Sequence, residues 1–186
     1  MRAKEAKTLP MRARLMFVPA LAAATVAKPA RAYDFLTLAQ ARELTWPKAK
    51  FTDMKFDLTD GEIQTIQRQA LESAVWRRRV PVWKVSTGGW FFLDQCIGRD
   101  DVITFSVGLN TDGSIKGVEV LVCLGVYDQI RKPEWIGKFN GCKRGGTDPA
   151  EVVPVISGTS LSSQHLIEAV RRILVIHQVM LARGMT

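Results

Sequence analysis

Nine residues from Val155 to Ser163 (Val-Ile-Ser-Gly-Thr-Ser-Leu-Ser-Ser) hold five hydroxyl side chains and one glycine, with no carboxylate among them. That composition suits a phosphate. Serine and threonine hydroxyls donate hydrogen bonds to its oxygens, and a glycine lets the backbone approach closely. The same residues serve as ordinary caps and turns, but five hydroxyls exceed what a cap uses. The loop runs into Leu166, Ala169, Val170, Ile173, Leu174 and Leu181, whose three- and four-residue spacing predicts a long helix with one buried stripe. A helix start carries unpaired N–H groups and partial positive charge, so it attracts an anion. Arg171 and Arg172 lie two to three turns further along, too far to touch that anion.

Other chemistry is poorly provided for. Cys96, Cys123 and Cys142 form no Cys-x-x-Cys, and neither His165 nor His177 stands at metal-ligand spacing from them, so no metal site is expected. Cys123 continues an apolar strand pattern and is expected as a buried thiol, which leaves Cys96 with Cys142 as the pair to consider for a disulfide. His177 falls on the apolar face of the last helix, in step with Ile173, and reads as a core histidine. No nucleophile, general base or substrate pocket can be named.

The elements that must position the loop are legible from periodicity. Leu36 to Thr45 reads as a helix stopped before Pro47. Thr59 with Glu62 forms a capping box for a second helix, with Ile63, Ile66 and Ala70 facing inward. Strands are predicted over Val80–Val85, Trp90–Cys96, Val102–Leu109 and Ile115–Cys123, with Gly88-Gly89 and Asn110–Gly113 as hairpin turns. Pro133 suits the first turn of a short helix carrying Trp135 and Phe139. The expected fold is α+β: a single domain with an antiparallel sheet of about four or more strands, helices packed on it, and a long C-terminal helix preceded by the hydroxyl-rich loop.

The N-terminus carries a different message. Arg12 and Arg14 precede an apolar run from Leu15 to Ala27, and Ala30-Arg31-Ala32 offers small residues for cleavage. This is the layout of a secretory signal peptide over residues 1–32, with Met11 as an alternative start. The apolar core is short for a membrane span, and no arginine pair marks the twin-arginine route. The mature domain would be residues 33–186. The whole chain has 26 basic and 18 acidic residues, a net charge of +8. Seven basic residues and one acidic belong to the leader, which leaves 19 against 17. The apparent basicity is mostly the export signal, so nucleic-acid binding is disfavoured. Arg77-Arg78-Arg79 reads as a solvated turn before a strand.

Residues 154–163 resemble the signature of the FMN-binding domain family. That domain occurs in the C subunit of the sodium-pumping NADH:quinone reductase, in the G subunit of Rnf complexes and in stand-alone exported proteins. The signature is usually Asp-x-x-Ser/Thr-Gly-Ala-Thr followed by more Ser or Thr. Ser157 and Gly158 match it, and Leu161, Ser162 and Ser163 continue it. Pro154 stands at the Asp position, Thr159 at the Ala and Ser160 at the final Thr. Tyr33 to Ala49, Asp100 to Leu121 and Tyr127 to Gly141 are similar to the opening helix, the central hairpin and a segment near the flavin in exported members.

The resemblance implies FMN as cofactor, held by Ser157, Gly158, Thr159, Ser160, Leu161, Ser162 and Ser163, with the ring against Tyr127 and Trp135. It implies covalent attachment through a phosphoester made by a dedicated flavin transferase, at Ser160 or alternatively at Thr159. The expected function is an exported, periplasmic flavoprotein, at or near the inner membrane, that carries electrons to or from a membrane or periplasmic redox partner. A small periplasmic flavin-dependent reductase, or a non-redox module that has lost the flavin, are the alternatives.

Overall fold

The computed structural model describes residues 36–69, 77–99, 101–123 and 128–185. The leader and its cleavage site, Ala70, and the flavin-ring candidate Tyr127 lie outside the described residues.

Five strands form one antiparallel sheet in the order of the chain: β1 (Phe51–Met54), β2 (Val82–Val85), β3 (Trp90–Ile97), β4 (Val102–Leu109) and β5 (Ile115–Val122). Its central strands read as predicted because their side chains alternate between two faces. On β4, Ile103, Phe105, Val107 and Leu109 are fully buried. The turns are those the sequence announced. Val85 N–H donates to the Gly89 carbonyl across the first, and a Cβ on Gly89 would stand 2.3 Å from the Leu109 carbonyl oxygen. Ser114 N–H donates to Asp112 Oδ1 at 3.0 Å in the second. Strand β1 was not expected. Its four residues, Phe-Thr-Asp-Met, are too few to display a period, and its register against β2 comes from Phe51 pairing with Val85 and Met54 with Val82.

Helices cover both faces. The first, α1 (Leu38–Thr45), lies on the outer face against β5. Its start is closed by a reciprocal bond pair between Thr37 and Gln40. The second, α2 (Asp60–Gln69), is closed by the predicted box: Glu62 accepts from Thr59 N–H at 2.8 Å. Ile66 is fully buried and Ile63 packs beside it. Two short helices follow, α3 (Pro133–Ile136), continued by a 3-10 turn to Phe139, and α4 (Pro149–Val152), capped by Asp148.

The long helix α5 (Ser160–Ala182) packs on β3 and β4. It is buried more deeply than a single stripe. From Leu166 to His177 every residue is buried except the half-buried Arg171, because α2 and α4 cover the sides that the sheet leaves open. The stripe also ends early: Leu181 is 41 % exposed, and Met180 takes the inward position. Cys96 and Cys142 are both buried free thiols, so the disulfide considered above is not formed. Burial pushes the Cys96 thiol up to about 12.

Candidate functional site

The hydroxyl-rich loop stands at the open end of α5, and three neighbours hold it there. Trp135 Nε1–H donates to the Pro154 carbonyl at 2.7 Å, tying α3 to the start of the loop. Arg99 N–H donates to Ser162 Oγ at 3.1 Å. His165 Nδ1 lies 2.7 Å from the Ile97 carbonyl and donates to it. The last two bonds seat the β3–β4 turn against the first two turns of α5. Sequence reading missed both, since contacts separated by 63 and 68 positions have no local signature.

The five hydroxyls then divide into distinct roles. Ser163 is fully buried and works inside the protein: its Oγ accepts from Ile156 N–H at 3.0 Å and donates to the Thr159 and Ser160 carbonyls. Ser162 is 2 % exposed and is occupied by Arg99. Thr159 is the residue before α5, yet its side chain makes no cap, and its enclosed Oγ1 has no partner. Ser157, Gly158, Ser160 and Leu161 are exposed. Gly158 has φ +84°, and a Cβ there would meet open space. The backbone therefore offers a shallow cradle where glycine alone is at ease.

The electrostatics of this end favour an anion. No acidic residue lies in the first turn of α5, so nothing offsets the partial positive charge of a 23-residue helix. Arg171 and Arg172 are committed elsewhere, as the distance along the helix required. Arg171 Nε stands 2.8 Å from Asp148. Arg172 Nη2 stands 2.7 Å from Asp94 and also donates to the Gln95 carbonyl.

These features fit the phosphate end of a nucleotide: a glycine cradle, an uncapped helix start, and exposed hydroxyls. The family model of the FMN-binding domain matches residues 98–175. This stretch is therefore similar to that domain, which indicates FMN as the cofactor. No curated protein matches the chain. The matched stretch of the FMN-binding domain runs from the β3–β4 turn through most of α5. It thus contains both sides of the loop's packing, the turn at Arg99 and the residues from Pro154 to Ser163. When bound, FMN supplies redox chemistry that no side chain of the protein offers.

The ring candidates fare differently from the loop. Trp135 is 6 % exposed and meets Phe139 edge-on, with ring centroids 5.4 Å apart. Its indole N–H is spent on Pro154, so here the residue acts as a strut for the loop. Phe139 is fully buried in the core. His177 is likewise a core residue: it is 3 % exposed and its ring meets Trp90 and Phe92. Among the described residues no cluster of His, Cys, Asp or Glu could hold a metal, and no helix is long and apolar enough to cross a membrane.

Proposed function

We propose that this FMN-binding domain is an exported electron carrier whose FMN is attached through a phosphoester to Ser160. The observation that carries the reading is the contrast between adjacent hydroxyls. Ser160 is exposed at the first residue of α5, whereas Thr159, the alternative acceptor, is 4 % exposed with its hydroxyl enclosed. An enzyme delivering a flavin can reach the first and not the second. In the attachment step the Ser160 oxygen bonds to the flavin phosphate of a phosphoanhydride donor. The hydroxyl proton leaves, and the donor's other phosphate departs as the leaving group. The amides at the start of α5 and the Gly158 turn would stabilise the resulting charge. Ser is a sufficient nucleophile here, since its hydroxyl is less crowded than the threonine usual in the family.

Electron carriage is favoured over an autonomous reductase. Among the described residues around the loop, the polar side chains Ser162, Ser163 and His165 are engaged with the backbone, which leaves no acid–base pair poised for a substrate. Export rests on the leader read over residues 1–32, and it would bring the chain to a flavin transferase and to a membrane or periplasmic redox partner. Intact mass spectrometry after co-expression with a periplasmic flavin transferase tests the reading. The mature protein should begin at Tyr33 and carry one FMN, and Ser160→Ala should lose that mass. Retention of FMN mass by Ser160→Ala would refute the assignment, and an intact leader on the exported protein would mean a membrane anchor.

A further inference from the structure

A cleft of about 530 Å³ opens between the end of α1, the edge strand β5 and α3. That volume falls in the range of small-molecule sites, roughly 300–1,000 Å³. Its walls include Leu44, Ile136, Lys116, Glu119, Arg131 and Asn140. Leu44, 59 % exposed, supplies an apolar wall to the cleft. Lys116 is held at the rim, its ammonium 5.6 Å from the Trp46 ring centroid.

Glu119 is the informative residue. It is half-buried, and burial pushes its carboxyl up. It makes no ion pair or hydrogen bond among the described residues, although the exposed Lys116 shares its cleft. Directly across the β4–β5 ladder stands Ser106, 1 % exposed, whose hydroxyl also has no partner. An enclosed hydroxyl without a partner is costly, and beside it Glu119 keeps an unpaired carboxylate at the edge of the cleft. A carboxylate there is best matched by a cationic donor. A simple cation would still meet Lys116, so a ligand carrying both charges matches the cleft better than a cation does.

We propose that this cleft binds a small zwitterion of the amino-acid type, with its ammonium group on Glu119, its acid group toward Lys116, and an apolar body against Leu44 and Ile136. The site is independent of the flavin assignment. The test is calorimetric titration of the purified protein with L-leucine and with its two single-charge analogues, isoamylamine and 4-methylpentanoate. L-leucine should bind saturably, and each analogue more weakly. Glu119→Gln, which keeps the shape, should weaken leucine binding about tenfold or more through loss of one charge-assisted hydrogen bond. Lys116→Gln at the exposed rim should weaken leucine binding and leave isoamylamine unchanged. Flavin retention, read by absorbance in the same samples, should be unaffected by either variant. Absence of saturable leucine binding would overturn the proposal, as would equal binding by Glu119→Gln. So would an acid analogue that binds as tightly as leucine, or loss of flavin on substitution of Glu119, which would assign the cleft to the cofactor.

Discussion

The first turn of α5 and its middle belong to one helix and handle polar groups in opposite ways. In its middle the two arginines are paired: the half-buried Arg171 with Asp148, and Arg172, 3 % exposed, with Asp94 and the Gln95 carbonyl. From Ser157 to Leu161 the hydroxyl-bearing Ser157 and Ser160 are exposed, and the helix start has no side-chain cap. The starts of α1, α2 and α4 are each closed by a side-chain oxygen, from Thr37, Thr59 and Asp148. Capping contributes about 1 kcal/mol, and α5 forgoes it at the place where an anion would do the same work. The middle of α5 is enclosed, and its start is left uncapped with exposed hydroxyls.

Substitutions can break that contrast from either side. The largest effect is expected in the middle. Arg172→Leu strands the Asp94 carboxylate, which is 14 % exposed, and should cost about 3–5 kcal/mol in urea unfolding. Adding Asp94→Leu should restore much of that loss, because burying no charge is better than burying one alone. At the boundary between the two regions, Ser163→Ala removes the acceptor of Ile156 N–H and should cost about 1–2 kcal/mol. It should also loosen the loop, seen as faster amide exchange from Ile156 to Ser160. An equal exchange rate would show that the loop is held by Trp135 and Arg99 without Ser163.

The remaining effects are smaller. Burial lowers the pKa of His177, so the folded state prefers its neutral form, while the unfolded chain protonates near pH 6.5. Stability should therefore be level above about pH 6.5 and fall as pH drops below it toward the folded-state value. His177→Phe should remove this component of the acid slope, and an unchanged slope would place the titration elsewhere. The smallest stability effect belongs to the most consequential residue. Ser160→Ala should stay within about 0.5 kcal/mol of the parent, because its exposed hydroxyl supports no core contact, and yet it should abolish covalent flavin. A destabilisation of several kcal/mol would mean that Ser160 is structural and that the division along α5 is false.

Much of this molecule was legible in one dimension. Strands β4 and β5 announce themselves through alternation, β3 through its run of aromatic and apolar residues, the turns through Gly88-Gly89 and Asp112-Gly113, and α2 through Thr59 and Glu62, because all are governed by contacts between near neighbours. The place of the 157–163 loop before the long helix was visible for the same reason, since the helical period that follows it starts there. Strand β1 was not legible, since pairing with β2 supplies what its four residues lack. The roles within the loop were also hidden. Five hydroxyls look equivalent in a string, and only folding assigns Ser163 to the backbone, Ser162 to Arg99, Thr159 to an enclosed position and Ser160 to the surface. The bond from Trp135 to the Pro154 carbonyl, and so its place beside the loop, had no signal in the string either. Glu119 and Ser106 carried no signal at all, because their adjacency exists only in the β4–β5 register. Local chemistry and hydrophobic period thus determined the elements and the kind of ligand. Long-range packing, which sets exposure and partners residue by residue, decided which side chain does what.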